Sequence, residues 1–220
     1  MKHHIVHGKD GSQQRFKLAA ELLHEIIPNS EVKEGKKIDD LVINEREDYC
    51  LHLISHGSKG QLKFDKSYLT DPILKKMAIN STPPKVIFIY ACHAGDDNGT
   101  AIRFHTKLNI PVIGVGQCDT ISKDDDDGEP LPAGSPVAFM YSLLSSTPHE
   151  SINTFIERIE VPSDCQDPRF KGKVVSTRAR VFGALPDYEI GTIFGKLNIT
   201  DEIQEWITEL TEYMFEDYEE

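Results

Sequence analysis

Apolar residues along the chain fall into two periods. His3 to Val6 and Cys50 to Ile54 read as short strands. Val86 to Ala91 and Pro111 to Gly116 ("PVIGVG") are apolar without alternation, the signature of strands covered on both faces. Between them the spacing becomes helical. Phe16, Ala20, Leu23 and Ile27 share one helical face, with Ser12 as the expected cap and Pro28 as the stop. Asp71-Pro72 opens a second helix carrying Ile73, Leu74 and Met77. A third is expected from Thr100 to Leu108, with Ala101, Phe104 and Leu108 inward. The polar stretch from Asn29 to Glu47 offers only a short strand at Leu41 to Ile43.

Strands alternating with helices predict an α/β fold: a mostly parallel sheet covered by helices on both faces. Right-handed crossovers then bring the strand ends to a single edge. Beyond residue 117 the pattern changes. Cys118 to Pro136 is expected to be an acidic loop rich in glycine and proline, and a helix is expected from Pro136 to about Ser145. Arg169 to Leu185 suggests strands or a hairpin. A C-terminal amphipathic helix is expected from Thr200 or Asp201, with Ile203, Trp206, Ile207, Leu210 and Met214 on one face. The whole reads as one domain over 1–220. Its 1–117 core is followed by the 118–136 loop, and residues 137–220 complete the domain.

Two of the apolar runs end in reactive side chains. "LISHGSKG" delivers His56 and "VIFIYACHAGD" delivers Cys92, each with glycine close behind. In a parallel sheet, chemistry collects at the C-terminal ends of strands. The two residues are thirty-six positions apart, about one crossover unit, so their strands are expected to be neighbours. An imidazole beside a thiol favours the thiolate and can protonate a leaving amine. The amides of Gly57 and Cys92 are candidates for an oxyanion hole.

Charge and cysteine usage narrow the field. A net charge of −12 opposes nucleic-acid binding, which needs a basic footprint. No run approaches the length of a membrane span, and "MKHHIVHGKDG" has no signal-peptide core. The four cysteines are widely spaced without a Cys-x-x-Cys pair, which favours a reducing, cytoplasmic setting. Export as an effector is the alternative. Cys50, Cys118 and Cys165 are read as structural.

The pair "LISHGS" and "IFIYACHAGD" resembles the clan CD cysteine peptidases, the caspase and metacaspase-like families, over roughly residues 48 to 117. The resemblance implies a caspase–haemoglobinase-like fold and a protease that cleaves a protein or peptide substrate through a thioester. Cys92 would be nucleophile, His56 its acid/base partner and Gly57 an oxyanion donor. No cofactor is implied for the chemistry. Metacaspase-like members usually carry Asp just before the nucleophile. Tyr90 and Ala91 stand there, so a preference for cleavage after Arg or Lys does not carry over.

Two regulatory features accompany this reading. Asp124, Asp125, Asp126 and Asp127 read first as a solvated loop, with a loose calcium site or a processing site as sharper alternatives. They do not fit an EF-hand, because Lys123 and Gly134 would stand where carboxylates are required. Arg169, Lys171, Lys173, Arg178 and Arg180 read as a solvated basic face, with an anionic activator such as an inositol phosphate as the alternative. Two other functions compete with the peptidase: an amidotransferase-like cysteine hydrolase, and a non-catalytic caspase-like scaffold that binds a regulatory partner.

Overall fold

The computed structural model describes residues 1–9, 15–35, 38–58, 61–64, 67–68, 71–80, 82–91, 93–95, 98–121, 158–160, 174–183, 193–198 and 200–202. Its centre is a seven-stranded sheet. The strands are β1 (Lys2–His7), β2 (Ser30–Glu34), β3 (Tyr49–Ile54), β7 (Val86–Tyr90), β8 (Val112–Ile121), β9 (Arg158–Glu160) and β10 (Val174–Phe182). Their spatial order is β2-β1-β3-β7-β8-β10-β9. The first five are mutually parallel, whereas β10 runs antiparallel to both β8 and β9. A small antiparallel sheet of β4 (His56–Ser58), β5 (Gln61–Phe64) and β6 (Ser67–Tyr68) follows directly on β3. The expected α/β class with a mostly parallel sheet is what the chain adopts.

Side chains alternate across the strands, so the four inner parallel strands β1, β3, β7 and β8 each feed two cores. Ile5, Cys50, Ile54, Val86, Phe88, Tyr90 and Ile113 face α1 (Arg15–Ile26). Val6, Leu51, Leu53, Ile87, Ile89 and Val112 face α2 (Asp71–Asn80) and α3 (Thr100–Leu108). Burial on both faces is why these strands carry no polar alternation. Ala20, Leu23 and Ile27 are buried on the α1 stripe, and Ala101 and Phe104 on that of α3. Helix α1 stops where the sequence says it should. Asn29 takes a left-handed φ of 55° after Pro28, and the Ser30 hydroxyl donates to the Ile27 carbonyl at 2.6 Å.

Two expectations need correction. Leu41 to Ile43 is not a strand: a 3-10 turn covers Ile38–Leu41. The edge strand in that polar stretch is instead β2, whose exposed Glu31 and Lys33 disguise it. Cys118 to Ile121, expected as the start of a loop, is strand, because pairing with β10 carries β8 on to Ile121. The apolar pattern ends sooner because the ladder there is held by backbone bonds, which any side chain permits. The β4–β6 sheet was not expected at all, its strands being two to four residues long. Ser12, the helix expected from Pro136 to about Ser145 and most of the expected C-terminal helix lie outside the described residues. Of that last helix, only Asp201 and Glu202 are described, in helical conformation.

The α1-side core contains an uncommon polar row. His3 Nε2 lies 2.9 Å from the Ile193 carbonyl oxygen, and His3 Nδ1 lies 3.0 Å from His52 Nε2. His52 Nδ1 is 2.9 Å from the Tyr90 hydroxyl. Register explains the row: His3 pairs with Cys50 and His52 with Phe88, so the three strands lay their polar groups on one face. Phe194 stacks on His3 and Phe88 stacks on His52. Burial pushes His3 down to about 4 and His52 well below its ordinary value.

Both imidazoles are therefore neutral in the fold, while the unfolded chain binds a proton on each near pH 6.5. Below that pH the unfolded state holds more protons, so stability is full above it and falls as pH drops toward 4. The expected slope is about 1.4 kcal/mol per pH unit for each histidine. Denaturant midpoints at about pH 7.5 and about pH 5.5 check this; equal midpoints would show that the histidines are not buried neutral.

Candidate active site

The two chain tips start from adjacent strands at one level. Ile54 of β3 pairs in register with Tyr90 of β7, and the Ser55 N–H donates to the Tyr90 carbonyl at 3.2 Å. Neighbouring strands are about 4.8 Å apart. In sequence His56 is two residues beyond Ile54, and Cys92 two residues beyond Tyr90. Cys92 itself lies outside the described residues, between Ala91 and His93, which are described.

His56 opens β4 and is exposed. Its ring meets that of Phe16, near the start of α1, edge to face with centroids 4.7 Å apart. Pairing of His56 with Lys63 and of Gly57 with Leu62 anchors the tip from the other side. Ser55 is buried at the bend, where its hydroxyl donates to the His56 carbonyl at 3.2 Å. Phe16 and Ser55 are thus supporting residues that pattern reading misses. Phe16 looks like one more member of an apolar helix stripe, and Ser55 like a linker.

The second tip is a tight turn. The Ala94 N–H donates to the Ala91 carbonyl at 3.1 Å, and His93 takes a positive φ of 59°. A non-glycine residue in that region costs energy that surrounding contacts must supply. Those contacts come from α3. The N-cap, Gly99, provides no side-chain bond; instead the Ala94 carbonyl accepts the Ala101 N–H at 3.0 Å. The turn itself caps the helix. Glycine is needed on both sides of it. A Cβ on Gly99 would lie 2.4 Å from the His93 carbonyl oxygen, and one on Gly114 of β8 would lie 2.7 Å from that of Ala94.

Other candidates stand apart. Cys50 is buried in the α1-side core, and burial pushes its thiol up to about 12, so it cannot act as a thiolate. Tyr90, one of the two residues before Cys92, turns its hydroxyl into the buried row. Arg178 and Arg180 stand two apart on β10, on either side of Ala179 beside a register shift in the β8 pairing. Arg169, Lys171, Lys173, Asp124, Asp125, Asp126, Asp127 and Cys165 lie outside the described residues. No described helix is long and apolar enough to cross a membrane.

No protein-family model matches the chain, and no curated protein matches it. Among solved structures, the chain is similar to a secreted C11 cysteine protease from Bacteroides thetaiotaomicron in complex with an irreversible peptide inhibitor. Identity there is 11% and TM-score 0.37, covering 66% of this chain and 54% of that one, so this chain spans about half of that protease. It is also similar to caspase-1 from Spodoptera frugiperda, at 11% identity and TM-score 0.42 over 83% of this chain and 87% of that one. A Geobacter sulfurreducens protein matches at 12% identity and TM-score 0.41, covering 86% and 96% of the two chains. Likeness at this level assigns no residue a role.

The packing around the turn gives a direct test. Gly114→Ala is expected to push the Ala94 end of the turn and the Ala101 side chain of α3, 2.5 Å from the added Cβ, off β8 and to cost about 1–3 kcal/mol, the usual range for overpacking. Denaturant unfolding measures the loss. An unchanged midpoint would mean that the turn does not press on β8 as described.

Proposed function

We propose that the chain is a cysteine endopeptidase in which Cys92 attacks a peptide carbonyl and His56 handles the proton. The observation that carries this reading is the β3–β7 register. It starts the His56 tip and the Cys92-bearing turn from the same level of neighbouring parallel strands. His56 is exposed while its ring is steadied by Phe16, which suits a group that must reach both a thiol and a departing amine.

The chemistry follows from these roles. The Cys92 thiol gives its proton to His56 and the thiolate adds to the scissile carbonyl, forming a C–S bond and an oxyanion. The Gly57 and Cys92 amides are the proposed donors to that oxyanion. Collapse breaks the C–N bond, His56 returns the proton to the amine, and a thioester remains. Water, deprotonated by His56, then cleaves the thioester and restores the thiol. No metal or cofactor is needed for any of these steps. An amidotransferase-like hydrolase would leave His56 without a role. A binding scaffold would have no use for the matched levels of the two tips.

Labelling with peptide electrophiles tests the proposal. In the unaltered protein Cys92 is expected to react far faster than buried Cys50, and His56→Ala to slow Cys92 by about 100-fold or more, the usual contribution of a positioned acid/base. Reaction at Cys92 no faster than at Cys50 would sink the peptidase and favour the scaffold. Running the series with Arg, Asp or Leu before the electrophile, with and without calcium or inositol hexakisphosphate, identifies specificity and trigger.

A further inference from the structure

The buried polar row has a direction. A carbonyl oxygen only accepts, so the proton of His3 is on Nε2, donated to Ile193 O at 2.9 Å. In the neutral ring Nδ1 must then accept, and His52 Nε2–H donates to it at 3.0 Å. His52 Nδ1 is in turn left to accept the Tyr90 hydroxyl at 2.9 Å. One acceptor, on the 193–198 segment, therefore dictates the tautomer of two histidines and the aim of a tyrosine. At the other end Tyr90 closes β7. Its carbonyl holds the Ser55 N–H, and Ala91 after it starts the turn that bears Cys92.

We propose that docking of the 193–198 segment sets the geometry of the sheet edge that carries both tips, with His3, His52 and Tyr90 as the positioning residues between them. The segment is seated by Phe194, stacked on His3 and tilted against Phe88, and by the Asn198 N–H on the Ile26 carbonyl. If Ile193 withdraws, His3 is left with a buried donor and no acceptor, which costs more than an ordinary hydrogen bond returns. Reversal of the tautomers repairs that fault but turns the last bond round: His52 Nδ1–H then donates to the Tyr90 oxygen, whose own proton must swing to another acceptor. By that reversal the change reaches Tyr90 and β7. The bearing on catalysis rests on the assignment of Cys92 as nucleophile; the coupling itself does not.

Amide hydrogen exchange in the full chain tests the coupling from both ends. The Asn198 amide reports docking, the Ser55 amide reports the β3–β7 edge, and the Gly35 amide, donated to the His7 carbonyl near β2, is the reference. Tyr90→Phe keeps the ring and removes only the hydroxyl. It is expected to speed Asn198 exchange about 5-fold relative to Gly35, the worth of one hydrogen bond. Phe194→Ala is expected to speed Ser55 exchange relative to Gly35, because coupling between two sites is reciprocal. Cys92 labelling on the same samples is expected to slow in both variants, and turnover of a peptide to fall in kcat with KM unchanged. Unchanged ratios, or equal acceleration of all three amides, would overturn the proposal. An unreactive Cys92 in unaltered protein alongside shifted ratios would overturn the peptidase reading and leave the coupling standing.

Discussion

The parallel pairing of β3 with β7 is the constraint on which the rest depends. It fixes Ile54 opposite Tyr90, and every later feature of the edge is counted from that pair. A slip of one residue would turn the side chains of one strand over, putting Leu53 in the place of His52 or Ile89 in the place of Tyr90 in the α1-side core. The apolar burial of both faces therefore specifies the register strongly. The site inherits its precision from a core that has no chemical role.

Around that pair the structure arranges opposite solutions on the two faces. The face toward α2 and α3 is apolar and closes tightly, down to glycines at 99 and 114 that let a carbonyl-rich turn lie against β8. On the α1 face a polar row sits amid apolar side chains and is tolerated because each imidazole nitrogen finds a partner. Buried polar groups that are all satisfied give a core a single arrangement where an apolar core would accept several.

Much of this was legible in the sequence, because the features concerned are periodic. The apolar runs, the three helices and the His-Gly and Cys-His tips declare themselves through spacing. Thr100–Leu108 begins and ends where the pattern says. Features that depend on partners distant in sequence did not. Strand β2 hides behind charged residues because an edge strand needs only one covered side. The extension of β8 depends on β10, more than fifty residues later. His3 and His52 gave no sign of meeting, and Ser55 and Phe16 acquire meaning only from what lies beside them.

The bond between His3 and Ile193 joins residues 190 positions apart. A ribosome makes the first long before the second, and chains begin to fold as they are made. The parallel strands and α1 can assemble early, but the acceptor that orders the buried row arrives only with residue 193. Completion of the row is therefore timed by synthesis, so that the edge reaches its final form only after residue 193 has been made.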